Sequence, residues 1–80
     1  MASPEIGDHV HLWFDDTYHY ILKVAVTSVT DTEVIGDVIG LYDRDNNGWQ
    51  ITGGETFMQY NGTSIKAQHQ YVHKVLKKPY

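Results

Sequence analysis

The stretch His9-Val10-His11-Leu12-Trp13-Phe14-Asp15-Asp16-Thr17-Tyr18-His19-Tyr20-Ile21-Leu22-Lys23-Val24-Ala25-Val26 decides the fold. Val10, Leu12 and Phe14 alternate with His9, His11 and Trp13. Tyr18, Tyr20, Leu22, Val24 and Val26 then alternate with His19, Ile21, Lys23 and Ala25. Period-two patterns rich in β-branched and aromatic residues suit a pleated strand with one buried face. Asp15-Asp16-Thr17 forms a short polar break between the two runs, so an antiparallel hairpin is expected. Pairing Phe14 with Tyr18 sets Leu12 beside Tyr20 and Val10 beside Leu22. A slip of one residue would send each apolar set to the opposite face.

Working outward, Thr30-Asp31-Thr32 reads as a second hairpin turn, with a return strand from about Glu33 to Tyr42. Pairing Val26 with Gly36 and Val24 with Val38 turns Val34, Val38 and Tyr42 inward. Gly36 and Gly40 in that strand imply a bend or a close backbone approach. Asp43 to Gly48 reads as a turn, followed by short strands at Trp49–Thr52 and Glu55–Tyr60. Asn61-Gly62 carries the signal of a type I′ hairpin. Residues 64–78 admit two readings. Ile65, His69, Val72 and Leu76 share a helical face. The adopted alternative is a strand at Ile65, a tight turn at Gln68–Gln70 and a last strand over Val72–Leu76.

The opening Ile6-Gly7-Asp8-His9-Val10, the long strand Tyr18–Ser28 and the glycine-containing return strand form one pattern with Glu55-Thr56-Phe57 and the terminal Val72-His73-Lys74-Val75-Leu76. This pattern resembles the SH3-like small β-barrels. The resemblance implies an all-β, small antiparallel barrel of five to six strands, with a short 3-10 turn or helix near the C-terminus. It also implies a binding module more often than an enzyme, although fold alone carries no function.

Eighty residues, 41% of them hydrophobic and 20% charged, suffice for one packed domain over 1–80, with residues 1–5 and 78–80 expected to be flexible. No window reaches the roughly 18 apolar residues of a membrane helix. Met1-Ala2-Ser3-Pro4-Glu5 has neither a basic leader nor an apolar core, so a cytoplasmic location is expected. The absence of cysteine excludes disulfides, thiolate zinc sites, iron–sulfur clusters and cysteine nucleophiles. No cofactor is expected. The net charge of −4 hides a division. Residues 1–55 hold ten acids against two bases, for −8, while residues 56–80 hold four lysines and no acid, for +4. Lys66, Lys74, Lys77 and Lys78 therefore offer a basic stripe to an anionic partner, nucleic acid being the alternative reading. Without an arginine cluster they make a poor phosphate footprint.

Candidate sites are few. His9 and His11 share one strand face, and the register above brings His19 opposite Trp13. Three imidazoles are a weak alternative for zinc or copper. Asp43, Asp45 and Asn47 have the spacing that opens a calcium loop, but the twelfth position is Gly54 and Glu55 falls one residue late. A hairpin turn explains the same residues. His69 and His73 stand four apart without an accompanying Glu. Ser3, Ser28, Ser64 and the pair Asp15-Asp16 lack catalytic partners, so no catalytic residue is assigned. The informative feature is the second face of the sheet, where Trp13, Ile21, Ile35, Ile39 and Leu41 fall opposite the Val10, Leu12 and Val24 core. A sheet with one wet face alternates apolar with polar. Here the apolar residues await the C-terminal segment, another copy of the chain, a different protein, or burial by curvature. The expected role is protein contact or self-association through this face.

Overall fold

The computed structural model describes residues 3–13, 19–45 and 48–80. The expected turn Asp15-Asp16-Thr17, its flanks Phe14 and Tyr18, and Asn46 and Asn47 lie outside the described residues. The elements are β1 (His9–Trp13), β2 (Tyr20–Val29), β3 (Glu33–Asp43), β4 (Trp49–Ile51), α1 (Glu55–Tyr60), β5 (Ser64–Gln68), a 3-10 turn (His69–Tyr71) and β6 (Val72–Leu76). All pairings are antiparallel, in the order β4-β3-β2-β1-β6, with β5 also on β3. The mainly antiparallel sheet of six strands and the 3-10 turn near the C-terminus are as the sequence implies. Among the described residues β5 and β6 do not pair, so the sheet curls without closing into a barrel.

The alternation of β1 and β2 produces the expected two faces. Val10, Leu12, Leu22, Val24 and Val26 point into the core with Val34, Val38, Leu41, Ala67 and Val72. Each fully buried Val or Leu removes enough apolar surface from water to contribute about 1.5–3 kcal/mol. The β1–β2 register differs by two residues from the expected one, with Val10 opposite Val24, Leu12 opposite Leu22 and Trp13 opposite Ile21. A two-residue shift keeps every side chain on its face, so hydrophobic pattern alone does not distinguish the two registers.

In β3 the pairs Val26–Gly36 and Val24–Val38 form as expected, but the register then shifts and Lys23 meets Gly40. The extra residue is Ile39. A bulge reverses the alternation beyond it, so Leu41 enters the core at 0% exposure while Tyr42 turns outward. The placement of Leu41 on the outer face, and of Tyr42 on the inner one, is thereby corrected. The bulge is anchored from the other side: Val38 N–H donates to Thr63 O at 2.8 Å, and Gly62 N–H donates to Val38 O at 2.8 Å.

Glu55–Tyr60 is a helix, not the expected strand. Met58 N–H donates to Gly54 O and Asn61 N–H to Phe57 O, the i to i−4 pattern. Phe57 and Tyr60, three apart, pack on the core from one side of the helix. Six residues are too few for periodicity to separate the two states. Asn61-Gly62 is consequently no β-hairpin. Asn61 has φ −62° and ψ 128°, Gly62 has φ 80°, and Thr63 N–H donates to Tyr60 O at 3.1 Å, which is a type II turn.

The two ends of the chain meet. Asp8, 6% exposed, accepts from Lys77 Nζ at 2.7 Å and from the Glu5 N–H at 2.8 Å. Lys77 also donates to Glu5 Oε1 and Ser3 O, and Tyr80 Oη donates to Gly7 O at 2.7 Å. The hydrogen bond from Lys77 holds the Asp8 carboxyl below its ordinary range, and Asp8 in turn raises Lys77. Among the described residues no helix is long and apolar enough to cross a membrane.

Candidate binding face

The outer face of β6, β1, β2 and β3 is built in rows, each row being the residues paired across the strands. Leu76, His9, Ala25 and Asp37 make the first row; Lys74, His11, Lys23 and Gly40 the second. Trp13, Ile21, Tyr42 and Gln50 make the third. A second bulge, between His11 and Leu12 along the β1–β6 pairing, leaves His73 unmatched in β6. Its ring meets Trp13 edge-on at 4.8 Å.

Aromatic and imidazole rings cover these rows. Tyr80 stacks on His9 at 3.6 Å between centroids, and Tyr42 stacks with His11 at 5.5 Å, leaning across β2. The Arg44 guanidinium stands over the Trp13 ring at 5.3 Å, a cation–π contact. A Cβ at Gly40 would lie 3.6 Å from Tyr42 Cε2 and 3.5 Å from Lys23 Cβ, both ordinary contact distances. Beneath the rings, His9 Nδ1 and Trp13 Nε1 are buried without a hydrogen-bond partner among the described residues. Such groups cost stability, about 1–3 kcal/mol each.

The charges of the face are mostly positive. Lys23 and Lys74 flank His11 in one row, and Lys78 lies against Gly7 and raises the potential at His9. Among the described residues Lys23, Lys74 and Lys78 enter no ion pair. Carboxylates stand at the border: Asp37 closes the first row, and Asp45 pairs with His19 Nδ1 at 3.2 Å. Burial, then Lys23 and Lys78, hold the His9 imidazole below its usual range, with Asp8 opposing weakly. Burial, then Lys74, Lys23 and His73, do the same for His11. Both rings are therefore neutral at pH 7. The unfolded chain takes up their protons near pH 6.5, before the fold does, so stability falls as pH drops through that value and levels off below the folded values. The melting temperature is expected to fall between pH 7.5 and 5, and a His9→Gln/His11→Gln variant to flatten that dependence. An unchanged profile in the variant contradicts the assignment.

Several sequence expectations change here. Of the interface residues, Trp13, Ile21 and Ile35 are half-buried, Ile39 is 43% exposed at its bulge, and Leu41 belongs to the core. Only Trp13 and Ile21 sit among the ring rows; Ile35 faces Ser28 and Lys66 beyond Asp37. The four-lysine stripe is divided. Lys74 and Lys78 join the face, Lys77 is ion-paired to Asp8 and Glu5, and Lys66 lies on β5. His19 is not opposite Trp13, a consequence of the two-residue register difference, so His9, His11 and His19 do not form one group. His69 Nε2–H donates to Thr30 O and His73 meets Trp13, so that pair is not a metal face either. Asp43 Oδ1 accepts from Asp45 N–H at 2.9 Å and Asp43 O accepts from Gly48 N–H at 3.0 Å, a turn closing the β3–β4 hairpin. Asn47 is outside the described residues. Sequence reading missed Lys23, Arg44, Tyr42 and Tyr80. Only Lys23 had a signal, its alternation with Leu22 and Val24, which sets it on the outer face of β2 with Ile21.

In comparisons with family models, curated proteins and solved structures, nothing matches the chain.

Proposed function

We propose that this chain is a non-enzymatic binding domain whose contact surface is the outer face of β6, β1, β2 and β3, and whose partner is anionic. The observation that carries this reading is the interleaving of ring pairs with Lys23, Lys74 and Arg44, with the carboxylates held at the border. Aromatic and arginine side chains concentrate contact energy, and a cluster of one sign draws the opposite charge. Self-association through this face is the weaker reading. A two-fold dimer would set the same lysines against one another. The SH3-like reading of the fold is supported by the path β6-β1-β2-β3-β5 and by the 3-10 turn joining β5 to β6.

The test uses the two tryptophans of the chain. Trp49 is 74% exposed on β4, opposite Asp43. In a Trp49→Phe variant the emission reports Trp13 alone. Heparin, oligoglutamate and an oligonucleotide are titrated at low salt, alongside a dilution series by light scattering. An anion-dependent change in Trp13 emission that fades with added salt is expected. No change with any anion, or a dimer that buries Trp13, overturns the reading.

A further inference from the structure

We infer that the anionic partner of this face is a single-stranded nucleic acid; the inference rests on the binding reading just given. The rows repeat along β1 every two residues, about 6.7 Å. That is roughly twice the 3.4 Å rise per nucleotide within one strand of B-form DNA. Rings so spaced match a strand drawn out of its helical stack, one base to a row. The three rows each carry a ring contact, His9 with Tyr80, His11 with Tyr42 and Trp13 with His73.

Cations flank the middle row of rings. Lys74 and Lys23 lie on either side of His11, and Arg44 adds a planar cation over Trp13. Rings for bases with flanking cations for phosphates are the combination that binds single strands without reading sequence. A duplex keeps its base faces stacked inside and offers this sheet only phosphates. An acidic peptide uses the lysines and leaves the rings without planar partners. The neutral state of His9 and His11 at pH 7 suits stacking, since no imidazolium charge has to be desolvated. The chain carries ten acids, Asp37 at the end of the first row and Asp45 at the border among them, and its net charge is −4, so the face binds locally and without high affinity.

The experiment is fluorescence anisotropy of the full chain with labelled probes: a short single strand, the matching duplex, and an oligoglutamate of equal charge. The single strand is expected to bind about tenfold or more tightly than either competitor at the same salt. His11→Ala/Tyr42→Leu is expected to lower single-strand affinity about tenfold or more, with little change in salt slope. Lys23→Gln/Lys74→Gln removes two phosphate contacts and should reduce the slope of log affinity against log salt by about 1.4. Lys66→Gln, one row beyond Asp37, should leave affinity unchanged. Circular dichroism of each variant confirms that it is folded. Oligoglutamate or duplex binding as tight as the single strand, or ring variants without effect, overturns the nucleic-acid inference and leaves the anion-binding reading of the face standing. No binding of any probe overturns both.

Discussion

Gly36→Ala is expected to remove a large part of the stability of the domain. A Cβ at this position would lie 2.2 Å from the Ala25 carbonyl oxygen, 2.6 Å from Val24 Cγ1 and 2.9 Å from the Ala25 carbonyl carbon. The obstruction is backbone on a paired central strand, so rotating a side chain cannot relieve it. Overpacking costs about 1–3 kcal/mol where neighbours can yield. Here about 3 kcal/mol or more is expected, against a total stability of roughly 4–12 kcal/mol for a chain of this size. Gly40→Ala is the contrast, because its Cβ meets Lys23 and Tyr42 at ordinary contact distance. Urea denaturation followed by circular dichroism should show a large loss for Gly36→Ala and a change within about 1 kcal/mol for Gly40→Ala. Equal effects at the two glycines would contradict the close approach of β2 and β3.

The second large effect separates Leu41 from Ile39. Leu41 is fully buried, while Ile39, two residues earlier, is 43% exposed. Truncating a buried leucine costs about 2–5 kcal/mol, and an unpaired amide placed there adds a further penalty. Leu41→Asn is therefore expected to cost about 4 kcal/mol or more, whereas Ile39→Asn should stay within about 1 kcal/mol. Without the bulge the strand would keep its alternation, and the ranking would shift toward Tyr42. The same denaturation curves decide the matter. A tolerated Leu41→Asn would mean that β3 runs without its extra residue.

Much of the fold was legible because period-two alternation is strong in β1 and β2, and because only one parity buries Val10, Leu12, Leu22 and Val24. The β5, 3-10 turn and β6 succession was legible too, since a turn at Gln68–Gln70 accommodates both short runs. What was not legible arises from single-residue insertions and short elements. The Ile39 bulge leaves no mark in the letters, yet it moves Leu41 and Tyr42 to opposite faces. Glu55–Tyr60 fits a strand and a helix equally well over six residues, and the decision falls to Phe57 and Tyr60 packing on the core. The candidate site was half visible. His9, His11 and Trp13 share a face by alternation alone. Tyr80, Arg44 and Lys78 join them only through contacts between distant parts of the chain, and Lys77 leaves the lysine set because Asp8 lies buried beside it.

The central claim is that the outer face of β6, β1, β2 and β3 is where a partner binds. Its most direct test is an amide-resolved nuclear magnetic resonance titration of the labelled chain with a short single-stranded oligonucleotide, and separately with oligoglutamate, at low salt. Shifts are expected to concentrate at His9 to Trp13, Ile21 to Ala25, Gly40 to Arg44 and His73 to Leu76, and to vanish as salt is raised. Shifts centred instead on Trp49 and Met58, or a spectrum that does not respond, would contradict the account.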